Sequence, residues 1–87
     1  MKGHIKRVFK DRSYGFIRGL DRKDYFFEVG AMRRALGPEL RERGVDDPIV
    51  LLEEGEEVTF EPVKSDKGWR AVSVRLDVDR VLEAHGR

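Results

Sequence analysis

The sequence predicts an all-β protein, a five-stranded antiparallel barrel with a short helical insertion between the third and fourth strands. Three observations carry this. Five short runs alternate apolar and polar residues with the period of two that a half-buried strand requires. Clusters of Gly, Asp, Ser and Lys separate these runs at turn-like spacing. One stretch, between the third and fourth runs, shows helical spacing instead. At 87 residues the chain has room for one domain and a modest core. Charged residues (40%) slightly outnumber hydrophobic ones (39%), but the apolar residues fall in short runs, so a folded chain is expected, not a disordered one.

The first strand is expected from about Lys2 to Phe9, with Ile5 and Val8 in the core and a break in strict alternation that signals a bulge. A polar turn, Lys10 to Ser13, leads into Tyr14-Gly15-Phe16-Ile17, where Tyr14 and Phe16 share one face while Gly15 and Ile17 share the other. Gly19 to Lys23 supplies the next turn. Tyr25 to Val29 then places residues 25, 27 and 29 on one side, with Phe26 and Glu28 on the other. From Gly30 the spacing becomes helical, through Ala31, Met32, Ala35 and Leu36. Gly37-Pro38 is expected to end that turn and start another, which Gly44 closes. Val45 to Glu57 reads as an acidic loop. Glu57 to Val63 alternates as the fourth strand, with Pro62 near a sheet edge. Lys64 to Gly68 reads as a hairpin loop, and Trp69 to Leu76 as the fifth strand. Asp77 to Arg87 reads as a tail with room for a short helix, Val78, Val81, Leu82 and His85 on one face, expected to pack on the barrel or fray and not to form a dimer interface. Residues 1–76 thus make one domain with a helical insertion at 31–52, and 77–87 a C-terminal tail. Three strands, a helical connection and two strands are compatible with a small Greek-key barrel of the OB type.

The formal net charge of +1 hides a strong asymmetry. Residues 1–25 carry eight Lys or Arg against three Asp; residues 46–61 carry seven acidic residues and no basic one. Residues 62–76 are basic again through Lys64, Lys67, Arg70 and Arg75 against Asp66. If the two basic segments are neighbours, they make one anion-seeking face. With no cysteine, disulfides, thiolate metal sites and cysteine nucleophiles are excluded. His4 and His85 are too few for a metal cluster or for acid–base catalysis, so no cofactor, no metal and no enzyme activity are expected. No apolar run reaches the length of a signal peptide or of a membrane span, about 20 residues, so a soluble, cytoplasmic protein is expected.

Four strings of residues, in order, carry a resemblance. Lys2-Gly3, Ile5-Lys6 and Arg12-Ser13-Tyr14-Gly15-Phe16-Ile17 are similar to the opening strand and the K-G-F-G-F-I motif of the cold-shock domain family. Asp24 to Val29 resembles the family's D-V-F-V-H-F motif. Leu52 to Phe60 resembles L-x-E-G-x-x-V-x-F, and Lys67 to Val74 resembles K-G-x-x-A-x-N-V. The likeness covers roughly residues 1–76, with a longer insertion between the third and fourth strands. It implies a non-catalytic binder of single-stranded RNA or DNA. Lys6 and Arg12 would stand at phosphate-contacting positions, and Tyr14, Phe16 and Phe26 would form the stacking platform. The chemistry fits: every base has a π-face, so aromatics on adjacent strands can stack unpaired bases while Lys and Arg hold the phosphates. Glycine beside the aromatics lets the strands lie close.

The departures bear on the same surface. Arg7 stands where the family has tryptophan, and its guanidinium plane can substitute for an aromatic. Glu28 replaces a histidine and should repel phosphate; Val29 replaces a phenylalanine. Trp69, at the last hairpin, is a candidate for restoring one stacking surface. At about 1 to 3 kcal/mol per stacked base, three aromatics support roughly micromolar affinity once strand ordering is subtracted. Elsewhere the bland readings are preferred: Arg33-Arg34 as a solvated helix face and residues 46–61 as a solubilising loop. The alternative to nucleic-acid binding is a barrel whose nucleic-acid face has decayed and which binds a protein partner through its insertion or tail.

Overall fold

The computed structural model describes residues 1–85, the side chain of His85 excepted. Five strands, β1 (Lys2–Phe9), β2 (Tyr14–Gly19), β3 (Asp24–Glu28), β4 (Glu57–Ser65) and β5 (Gly68–Leu76), close into a barrel in the order β1-β2-β3-β5-β4. Four of the pairings in that ring, counting the one between β4 and β1 that closes it, are antiparallel. The fifth, between β3 and β5, is parallel and rests on Phe26 opposite Arg70. Closure leaves few open edges. The amino group of Met1 and the Ile5 and Gly55 backbone amides tie the β1–β4 seam through bonds to the carbonyls of Phe60 (2.6 Å), Glu56 (2.9 Å) and Ile5 (2.7 Å).

Period-two alternation decides which side chains fill the barrel. Ile5, Ile17, Tyr25, Phe27, Val58, Phe60, Ala71 and Val74 point inward and are buried. The expected bulge in β1 lies at Lys6: Ile5 pairs with Ile17, but Arg7 pairs with Phe16. Val8, expected in the core, is partly buried against it. Gly15 is where close approach is unavoidable, since a Cβ there would collide with the Arg7 carbonyl oxygen and stand 2.8 Å from the Phe27 ring.

The insertion differs from its expected form. Instead of two turns broken at Gly37-Pro38, one continuous helix, α1 (Val29–Glu42), runs through Pro38. Proline normally restricts its predecessor through a clash with that residue's Cβ, and Gly37 has none. The N–H that Pro38 lacks would have met the carbonyl of Arg34, an exposed residue where water can replace it. The apolar stripe Val29, Met32, Leu36 and Leu40 is buried and packs the helix onto β5. Val29, expected in the third strand, is buried as alternation requires but begins the helix. Gly44, with φ at +81°, ends it in a Schellman arrangement. The Gly44 N–H donates to the Arg41 carbonyl at 3.1 Å and the Val45 N–H to that of Leu40 at 2.8 Å.

The acidic connection is more ordered than a solubilising loop. Pro48–Leu51 forms a 3-10 turn whose Pro48 and Leu51, with the following Leu52, are buried. Asp47 caps it by accepting from the Ile49 N–H (3.0 Å) and is gripped by Arg33 Nε at 3.0 Å from both carboxylate oxygens. The Arg33 guanidinium beside it lowers the Asp47 carboxyl below its ordinary range. Arg33 therefore anchors the connection to α1, and only Arg34 stays on a solvated face. The last hairpin is tighter than expected: β4 extends to Ser65 and the turn is Asp66-Lys67, with Gly68 at φ +114°. Helix α2 (Val78–His85) packs Val78 and Val81 into the core, with Leu82 partly buried; the side chain of His85 lies outside the described residues.

Candidate nucleic-acid interface

The outward side of β1, β2 and β3 forms a grid set by strand register. One row crosses four strands as Arg7, Phe16, Phe26 and Arg70, each opposite the next. The row beside it runs Phe9, Tyr14, Glu28. A third holds Arg18 opposite Asp24. Successive rows stand about 6.6 Å apart, two residues along each strand.

The aromatic members touch. Ring centroids are 5.1 Å apart for Phe9–Tyr14, 5.5 Å for Tyr14–Phe26, 5.9 Å for Phe16–Phe26 and 6.2 Å for Tyr14–Phe16. All four rings are half-buried, so each is supported from below and open from above. Gly15, between Tyr14 and Phe16, lets β1 and β2 approach closely enough to make the surface continuous.

Cations border the rings. The Arg7 guanidinium lies 5.5 Å from the Phe9 centroid, and Arg70 lies 5.1 Å from that of Phe26. Such contacts hold a guanidinium plane against a ring, where it can extend the stacking surface. Arg70 also donates to Glu28 at 2.8 Å, so the one carboxylate in the aromatic rows is balanced by a neighbour. Lys6, the bulge residue, donates to Asp24 at 2.7 Å, and Arg18 donates to the other oxygen of the same carboxylate at 2.5 Å. These two partners, Arg18 more than Lys6, lower the Asp24 carboxyl below its ordinary value. The cluster of two cations and one anion keeps one positive charge. Arg12 is exposed in the 3-10 turn Lys10–Arg12 that joins β1 to β2, and no ion pair engages it among the described residues.

Of the seven residues singled out in the sequence, Arg7, Tyr14, Phe16 and Phe26 therefore come together, with Lys6 and Arg12 at the margin. Trp69 does not join them. It follows Gly68 and precedes Arg70 on β5, so alternation turns it to the other side. There it is half-buried, edge-on to Tyr25 at 5.9 Å. Phe9 and Arg70 are the members that sequence reasoning missed. Resuming alternation after the bulge puts Arg7 and Phe9 on one face, a signal that was available. Arg70 depends on the parallel β3–β5 pairing, which periodicity does not encode.

Among the described residues, no group of His, Cys, Asp and Glu is placed to hold a metal ion, and no helix is long and apolar enough to cross a membrane. A groove of about 720 Å³ runs past Lys2, His4, Thr59 and Leu76 and shares no residue with the aromatic grid.

No protein-family model matches the chain. It is, however, 35% identical to cold shock protein 1 of Lactiplantibacillus plantarum over 72 residues, which is 83% of this chain and 91% of that relative. The match spans nearly the whole relative, and the chain forms a barrel closed in the order described above. The chain belongs to the cold shock protein family.

Proposed function

We propose that the protein binds single-stranded RNA or DNA, stoichiometrically and without catalysis, through the aromatic grid. The observation that carries this reading is the run of four half-exposed rings in mutual contact on one sheet face, bordered by Arg7, Arg12, Lys6 and Arg70. A soluble protein gains little from leaving such a surface open unless something stacks on it. Unpaired bases supply flat partners, and the flanking cations meet the phosphates. Glu28 does not cancel this, because Arg70 neutralises it in place. The rival reading, a protein partner held by the insertion or the tail, draws less support, since the apolar stripe of α1 is already covered by β5 and Val78 and Val81 of α2 are buried in the core.

The test is anisotropy of a labelled oligothymidine and oligouridine at low and moderate salt. Saturable binding of roughly micromolar strength, weakening with salt, is expected for the wild type. It should collapse in Phe16→Ala with Phe26→Ala while circular dichroism stays unchanged. Binding that survives loss of both rings would overturn the platform.

A further inference from the structure

Outside the grid, Trp69 is contacted by two cations. Lys23 Nζ lies 4.8 Å and Lys64 Nζ 5.7 Å from its ring centroid. They come from different elements, the turn entering β3 and the end of β4. Two ammonium groups on one indole repel each other, and the negative face of the ring compensates only part of that cost. Neither ammonium has an ion pair among the described residues. Asp21 feels the charge of Lys23, but its carboxylate is engaged by the Tyr25 hydroxyl and the Lys23 backbone N–H. The indole is thus already engaged by two cations, and a base stacking on it would compete with them.

We infer that Lys23 and Lys64, seated on Trp69, form a second anion subsite that takes one backbone phosphate of the bound single strand beyond the aromatic grid. This rests on the proposed function. The placement suits it. Lys23 is three positions before Phe26, about 10 Å along the strand direction, and a single OB fold engages about 4 to 16 nucleotides. A strand stacked on Phe16 and Phe26 and continuing past Asp24 at the start of β3 would meet the lysine pair by crossing the rim of the sheet, since Trp69 faces the other side of the pleat. The phosphate supplies the negative charge that the two ammonium groups lack.

The experiment compares oligothymidines of about four and about eight nucleotides, read by anisotropy across a salt series. For the longer strand, Lys23→Gln with Lys64→Gln should lower the slope of log affinity against log salt by about 0.7, one phosphate's worth. The slope for the shorter strand should stay unchanged. Trp69→Leu should reproduce the loss on the longer strand, and Trp69→Phe, which keeps a ring, should restore most of it. Circular dichroism controls for folding. If the wild type binds neither strand, the proposed function falls and the subsite with it. If it binds and the double lysine variant keeps the wild-type slope, or loses equally on both lengths, only the subsite is overturned. Tripolyphosphate supplies the same chemistry without bases. Its failure to displace the longer strand at matched ionic strength supports the strand as the source, and displacement confined to the lysine pair would assign the site to a free polyanion instead.

Discussion

Two aromatic clusters lie on opposite sides of the barrel wall and share only strand β3, and they are built for opposite ends. Tyr25, Phe60 and Trp69 meet inside the barrel and at its rim, with Tyr25–Phe60 centroids 4.9 Å apart. Phe9, Tyr14, Phe16 and Phe26 meet outside, at similar distances. Tyr25 and Phe26 are chain neighbours, yet one is 1% exposed and the other stands half-open in the sheet face. Ring contact alone therefore does not tell structure from function; the side of the pleat does. The inner rings are surrounded by Ile5, Ile17 and Val58 and contribute to stability. The outer rings are bordered by Arg7 and Arg70 and leave a face for a ligand.

The comparison can be broken by truncating one ring from each cluster. Phe60→Ala should destabilise the fold by about 3–5 kcal/mol, as for other buried aromatics, with a falling denaturation midpoint. Phe26→Ala should leave stability nearly unchanged and weaken binding by about 1–3 kcal/mol. Denaturant titration and strand anisotropy on both variants settle it. Equal losses in both assays for either variant would mean that the two clusters are one unit.

Gly15 lies between the outer rings of Tyr14 and Phe16 and against inward-facing Phe27, and its substitution comes next in size. In Gly15→Ala the new methyl meets the Arg7 carbonyl oxygen, which belongs to backbone and cannot swing away. A loss of about 1–3 kcal/mol is expected from overpacking, seen as a lower thermal midpoint, with weaker strand binding in the folded fraction as β1 shifts from β2. An unchanged midpoint would show that the two strands have slack.

Glu28 sharpens the outer cluster specifically. Its pair with Arg70 is exposed, so Glu28→Gln should change stability by no more than about 1 kcal/mol. Binding should tighten several-fold, because a carboxylate leaves the aromatic rows and Arg70 is freed to meet a phosphate. The salt slope should then steepen by about 0.7. An unchanged slope would indicate that the ring of Phe26, not Glu28, holds Arg70 in place.

How much of this was legible in the sequence follows from which forces are local. Alternation at 14–17 and 25–28 sets the two faces of β2 and β3, so the outer and inner rings can be assigned before any fold is known. Gly44 announces the end of α1 because a left-handed cap leaves few other choices. The passage of α1 through Pro38 is not legible. It depends on Gly37 lacking a Cβ and on β5 covering Leu36 and Leu40, and the second of these is a tertiary fact. The Arg33–Asp47 grip joins residues on either side of a helix end, and Arg70 reaches Phe26 through a single parallel pairing. Trp69 lies off the grid for a related reason: its strand is as expected, but which face it joins depends on the partner strand.

The smallest effect concerns the rim of the inner cluster. The Tyr25 hydroxyl donates to Asp21, and this bond, with burial and the charge of Asp21, pushes the Tyr25 pKa up from 10.0 to about 12. A group held protonated more tightly in the folded state contributes stability that is fully present below its unfolded value. That contribution is lost as pH rises from 10 through about 12, a window in which the fold should weaken. Asp21, whose own pKa is lowered chiefly by the same bond, works in the opposite direction and loses its contribution as pH falls below its ordinary value. In a Tyr14→Phe background Tyr25 is the only tyrosine left, so its phenolate absorbance reports this group alone. Asp21→Asn should bring that titration down toward 10, and the alkaline decline in the denaturation midpoint should shrink with it. A titration that stays at the same pH in both backgrounds would mean that burial, and not the carboxylate, sets the acidity of Tyr25. The inner cluster would then owe nothing to the turn that also carries Lys23.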